Sequence, residues 1–193
     1  MAFLVKLNIY DLSQGMAKSM SKALTGKQID LIPHTGIVVY DKEFYYGGGI
    51  SYDVPGMTPF GKFHISINQV IIGRPTETRE MGITDIPEDQ FMEILKDMAP
   101  RFSMQTYDVM KHNCNNFTDE VCEVLLGHGI PEEITGLPAE FLATPLGQSL
   151  KPMMDQMGES LKVQSNSLFN EEGGQNELQA RPEGQPGIMA NPM

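Results

Sequence analysis

Apolar and polar residues alternate at the start of the chain: Phe3, Val5, Leu7 and Ile9 interleave with Leu4, Lys6, Asn8 and Tyr10. A period of two predicts a strand. Ser13 then opens a helix whose inner face is Met16, Met20, Ala23 and Leu24, with Gly26 as its terminator. Two β-rich runs follow, at 34–41 and 43–50, around a tight turn at Asp41-Lys42. In the segment 63–72, Phe63, Ile65 and Ile67 alternate with His64, Ser66 and Asn68, which predicts a further strand. Beyond it the period becomes helical. Phe91, Ile94, Leu95 and Met98 sit at i, i+3, i+4 and i+7 after a Pro87-Glu88-Asp89 start. A second helix runs from about Cys114 to Leu126, with Phe117, Val121, Val124 and Leu125 inward and Gly127 at its end. Short helical turns are expected at 131–134 and 138–142. Strands cluster early and helices late, which is the pattern of an α+β domain.

The pattern stops near residue 150. From Val163 to Met193 the chain is rich in Gln, Asn, Gly, Glu and Pro without an apolar period. Such a segment buries too little surface to offset its ordering entropy. The expected division is therefore a folded domain at 1–150 and a flexible, largely disordered tail at 151–193. Met153, Met154, Met157 and Leu161 have the spacing of a short terminal helix within that tail.

Composition narrows the function classes. The chain has 193 residues, 14 basic and 25 acidic side chains, and a net charge of −11. An acidic chain without a basic run lacks the footprint of a nucleic-acid or anionic-membrane binder. No apolar run reaches the roughly 18 residues of a membrane span. The apolar start alternates and has no basic n-region, so it reads as a strand and not as a signal peptide. Two cysteines are too few for a disulfide framework or a thiolate-based zinc site, and no metal or cofactor is expected. A protein of a reducing, intracellular compartment follows as the expectation.

With two cysteines, each can be weighed alone. Cys122 falls in mid-helix between apolar neighbours and reads as core. It is eight residues from Cys114, ~12 Å along a helix, too far for a disulfide. Cys114 follows His112-Asn113 and precedes Asn115-Asn116, residues that favour caps over helix interiors. It therefore falls at a helix N-terminus, where free N–H groups and the helix dipole favour a thiolate and can hold an oxyanion. Position alone leaves two readings open, a nucleophile or a small buried hydrophobe. A thiol nucleophile usually needs a histidine base. His112 is in the same cap segment, His128 lies beyond the far end of the helix, and His64 is on the polar side of a strand. His34 begins a β-run and precedes Thr35-Gly36, where a missing side chain permits close approach.

Taken together, these segments resemble the PPPDE family of desumoylating isopeptidases, which are permuted papain-fold peptidases. The likeness runs from about Val5 to Gln148. It is densest at Tyr10-Asp11-Leu12-Ser13-Gln14-Gly15, at His34-Thr35-Gly36-Ile37-Val38-Val39-Tyr40, at Phe44-Tyr45-Tyr46-Gly47-Gly48-Gly49-Ile50 and at His112-Asn113-Cys114-Asn115-Asn116-Phe117. The resemblance implies an antiparallel sheet or barrel packed with helices, with His34 as catalytic base and acid and Cys114 as nucleophile. It implies cleavage of the isopeptide bond between SUMO, ubiquitin or a similar modifier and a substrate lysine. It also implies a homodimer acting in cytoplasm and nucleus. Asp41 departs from the small residues common at that place in the family, which bears on the turn. Two alternatives accompany this expectation. One is a cysteine thioesterase that removes fatty acyl groups from S-acylated proteins, since the Asn-Cys-x-x-Phe pattern is also similar to permuted lipid acyltransferases. The other is a non-enzymatic adaptor that binds modifiers.

Overall fold

A computed structural model describes residues 1–60, 64–66, 69–71, 74–152 and 179–180. Its centre is strand β1 (Phe3–Asp11), which pairs antiparallel with β2 (Pro33–Val39) on one side and with β7 (Glu77–Thr84) on the other. The antiparallel sheet continues from β2 through β3 (Lys42–Tyr46) to β4 (Ile50–Asp53). A small hairpin of β5 (His64–Ser66) and β6 (Gln69–Ile71) stands apart from this sheet, and β8 (Gln179–Ala180) lies parallel to β4. The helices are α1 (Met16–Thr25), α2 (Glu88–Met98), α3 (Cys114–Leu126), α4 (Glu132–Thr135), α5 (Leu137–Leu142) and α6, residues 145–152.

The period-two pattern sorts the strand residues onto two faces. Leu7 and Ile9 of β1, Ile37 and Val39 of β2, and Phe44 and Tyr46 of β3 form one buried face. Phe91 and Leu95 of α2 and Phe117 and Val121 of α3 complete the same core. Cys122 is fully buried among these residues, as its sequence neighbours suggest. The opposite face is polar at its heart. The carboxylate of Glu43 is fully buried and accepts hydrogen bonds from Asn8 Nδ2 (2.8 Å), the Tyr10 hydroxyl (2.8 Å) and the Gly56 N–H (2.7 Å). Gly36 makes room for it: a Cβ there would lie 2.5 Å from Glu43 Oε1. The close approach expected at Gly36 is thus made by a carboxylate of the chain itself.

Several expectations change in detail. The turn after β2 is at Tyr40-Asp41 and not at Asp41-Lys42. Both residues have positive φ (54° and 57°), as a two-residue hairpin of the favoured twist requires. Within 63–72 the expected single strand is two three-residue strands, β5 and β6. Strand β7, with its charged sequence ETREMGIT, has no clean apolar alternation and was not expected. The largest correction concerns α1. Its supposed inner residues are exposed, Met16 by 63 %, Met20 by 47 % and Leu24 by 59 %, so the apolar stripe does not enter the core. Apart from 151–152 and 179–180, the expected disordered tail lies outside the described residues. Among the described residues no helix is long and apolar enough to cross a membrane.

Asp11 fixes where α1 leaves the sheet. Its carboxylate accepts from the N–H and hydroxyl of Ser13 (2.9 and 2.6 Å), from Gly15 N–H (2.6 Å) and from Ile32 N–H (3.1 Å). Ser13 Oγ in turn accepts from Ala17 N–H in the first turn of α1. Replacing Asp11 by Ala removes the acceptor of three part-buried backbone N–H groups. Urea denaturation is expected to show a loss of about 1–3 kcal/mol.

Candidate active site

The asparagines around Cys114 build a cap. Asn113 has extended backbone geometry, and its side-chain oxygen accepts from the N–H groups of Asn115 and Asn116, while Asn116 Oδ1 accepts from Asn113 N–H. This reciprocal pair ends the helix as a capping box does and makes Cys114 its first residue. The same turn is bolted to the start of β2. Thr35 Oγ1 donates to Asn115 Oδ1 (2.9 Å) and lies 2.6 Å from Thr118 Oγ1, and Asn115 Nδ2 donates to Pro33 O (3.2 Å). Thr35 belongs to the face that continues through Ile37 and Val39, so the alternation of β2 itself directs it at α3.

Cys114 is 3 % exposed, and its thiol donates to Asn115 Oδ1 at 3.7 Å. Burial pushes its pKa up to about 11. The backbone N–H groups of Thr35, Asn115 and Cys114 and the hydroxyl of Tyr107 act in the opposite direction by favouring the thiolate. Desolvation outweighs these donors, so the thiol is protonated at neutral pH.

His34 sits one residue before Thr35, but its ring is on the other face of β2. It stacks on Phe60 with centroids 3.5 Å apart and lies 6.1 Å from the ring of Tyr10 and 6.3 Å from that of Tyr45. Burial depresses its pKa to about 3, which leaves a neutral imidazole, and among the described residues Nε2 has no hydrogen-bond partner. Among the described residues, no hydrogen bond joins the His34 ring to the Cys114 sulfur. The two expected site residues therefore meet at the same backbone junction without their reacting atoms being paired. Two other histidines stand elsewhere, and the side chain of His64 lies outside the described residues. His112 stacks on Phe102 and has its Nδ1 near Thr106 O, and His128 is exposed beyond α3.

A groove of about 810 Å³ opens at Cys114. Its walls come from α1, from residues 29–33, from the turn before α3, and from α5 and α6. Among the described residues, none that lines it carries a charge. Met16, Met20 and Leu24, the stripe that misses the core, are part of its wall. The sequence pattern identified that stripe but not its destination. Tyr107 and Asn115 also line the groove and were missed as site residues, because nothing in their spacing marks them before α3 and β2 are brought together.

With this architecture the chain belongs to the family described as the PPPDE putative peptidase domain, which matches residues 3–155. The family is a papain-like peptidase fold, and it places the chain among cysteine-type hydrolases. The chain is 39 % identical over 173 residues to desumoylating isopeptidase 1 of Xenopus laevis, across 89 % of this chain and 94 % of that protein. It is 41 % identical over 155 residues to desumoylating isopeptidase 1 of Homo sapiens, across 79 % and 85 %. A more distant relative is the DeSI-like protein sdu1 of Schizosaccharomyces pombe, 28 % identical over 142 residues.

Two outcomes follow from the burial of the pair. Alkylation of Cys114 in the free protein is expected to rise steadily from pH 7 towards a midpoint near 11; a plateau already reached below pH 7 would mean that a thiolate–imidazolium pair is formed at rest. Between pH 6.5 and about 3 the unfolded chain binds a proton at His34 that the folded chain refuses. Stability therefore falls as pH drops through that window, by up to about 1.4 kcal/mol per unit. In denaturation curves, His34→Gln should remove that part of the slope.

Proposed function

We propose that this chain is a cysteine isopeptidase that cleaves the bond between the C-terminal glycine of SUMO or a related modifier and a substrate lysine, with Cys114 as nucleophile and His34 as base and acid. The observation that carries the reading is the setting of Cys114. A thiol at a capped helix N-terminus is surrounded by N–H donors at the head of a groove, in a chain whose relatives of about 40 % identity are named for this activity.

In the proposed reaction, the start of β2 rearranges so that the His34 ring leaves its stack on Phe60, reaches the groove and takes the Cys114 proton. The thiolate attacks the isopeptide carbonyl, forming a C–S bond as the carbonyl electron pair moves to oxygen. The N–H groups of the helix start hold that oxyanion. When the pair returns, the C–N bond breaks and the lysine amine leaves with the proton from His34. Water, losing a proton to His34, then attacks the thioester; the C–S bond breaks, the Cys114 sulfur regains its proton from His34, and the modifier departs as a free carboxylate. A homodimer acting in cytoplasm and nucleus is part of the same proposal and rests on the family resemblance.

A second reading has one specific observation in its favour. The uncharged groove, of a size usual for ligand sites, suits a long acyl chain better than it suits a polar peptide tail. Its substrate is a fatty acyl thioester, cleaved by the same cysteine. Both readings are separated by treating wild type and Cys114→Ala with electrophilic SUMO and ubiquitin probes and with an S-palmitoylated peptide. Labelling by a modifier probe that is lost in Cys114→Ala is the expected result. Fatty acid release without modifier labelling would reverse the order, and a Cys114→Ala protein with full activity would end both readings.

A further inference from the structure

The segment before α3 is folded back on itself. Asp108 and His112 exchange two backbone hydrogen bonds, both 2.9 Å, and the Asp108 carboxylate accepts from the N–H groups of Met110 and Lys111. Asn113 Nδ2 donates to Val109 O (2.8 Å), which ties the cap of α3 to the same turn. A chain that leaves at Tyr107 thus returns at Asn113, and Tyr107 ends beside Cys114. The phenol ring is held in place by Tyr46, at 5.1 Å between centroids, and the Tyr46 hydroxyl is itself anchored on Ser103 O at 2.7 Å. Tyr107 and Cys114 line the same groove, and the Tyr107 hydroxyl favours the Cys114 thiolate.

We infer that Tyr107 is a catalytic residue of the Cys114 chemistry, a side-chain hydroxyl that donates first to the thiolate and then to the carbonyl oxygen that becomes negative. This rests on the isopeptidase reading for its substrate but not for its place in the groove beside Cys114. A donor is what the position calls for. Burial, with the Cys114 thiolate next, raises the Tyr107 pKa well above the usual phenol value, so the hydroxyl keeps its proton throughout. During attack the C–S bond forms within reach of the hydroxyl. As charge moves from sulfur to oxygen, the O–H group follows it without transferring its proton. When the C–N bond breaks and the carbonyl reforms, the hydrogen bond weakens again. The backbone donors at the helix start then have a side-chain partner on the groove side of the sulfur, the arrangement that an oxyanion site requires.

The test compares full-length wild type with Tyr107→Phe, which keeps the ring that packs on Tyr46. The first readout needs no substrate: the pH profile of Cys114 alkylation by iodoacetamide, followed by mass spectrometry. Loss of the hydroxyl should move this profile to higher pH. The second is steady-state cleavage of a SUMO–lysine isopeptide conjugate, where kcat should fall about 10²-fold or more with little change in KM. An unshifted alkylation profile together with an unchanged kcat would overturn the proposal. If wild type cleaves no conjugate, the isopeptidase reading fails, and the alkylation profile decides the role of Tyr107. Should Tyr107→Phe not fold, 3,5-difluorotyrosine at position 107, a stronger hydrogen-bond donor, should shift the alkylation profile the opposite way; no shift would again overturn the proposal.

Discussion

The joint between the first turn of α3 and the first residues of β2 is the constraint on which the site depends. Thr35, Asn115, Thr118 and the Pro33 carbonyl make a buried polar clamp that sets the helix axis against the sheet. Each group in it is satisfied by another, so the clamp specifies one register at little net cost in desolvation. The core of Leu7, Ile37, Phe117 and Val121 would hold the helix on the sheet in several nearby positions. The clamp selects the one in which Cys114 meets the Thr35 N–H and the groove. Asp11 does the corresponding work for α1, directing its apolar stripe along the groove wall instead of into the core.

Two effects of opposite sign meet at Cys114. A helix N-terminus lowers a thiol pKa, and burial raises it. Burial wins here by a wide margin, and it wins at His34 too, so both groups are neutral at rest. A neutral pair is unreactive but inexpensive to bury. Reactivity then depends on what enters the groove. The backbone donors around the sulfur are already in place, whereas among the described residues no hydrogen bond joins the His34 ring to it.

Much of this was legible in the sequence, for identifiable reasons. The ends of α2 and α3 follow from Pro87, Asn113 and Gly127, whose backbone preferences are local. The place of Cys114 follows from the asparagines beside it, and Cys122 was assigned to the core from its flanking valines. What could not be read depends on packing between distant segments. The stripe of α1 has the period of a core helix, and only the direction set by Asp11 turns it outward. The face of His34 is decided by Thr35, since neighbours on a strand must point apart, and Thr35 is claimed by Asn115 eighty residues away. Glu43 lies in an aromatic β-run, and its burial depends on three donors from two separate stretches of chain, β1 and the segment at Gly56.

Cys122 is a core residue, and its position has a practical use. It is fully buried in α3 two turns beyond Cys114, and burial pushes its thiol up to about 12. A reagent reaches Cys114 through a local opening of the groove, but it reaches Cys122 only when α3 leaves the sheet. The ratio of modification at the two sulfurs therefore separates local breathing from global unfolding within a single molecule. The helix carries its own internal clock beside the site whose motions are to be timed.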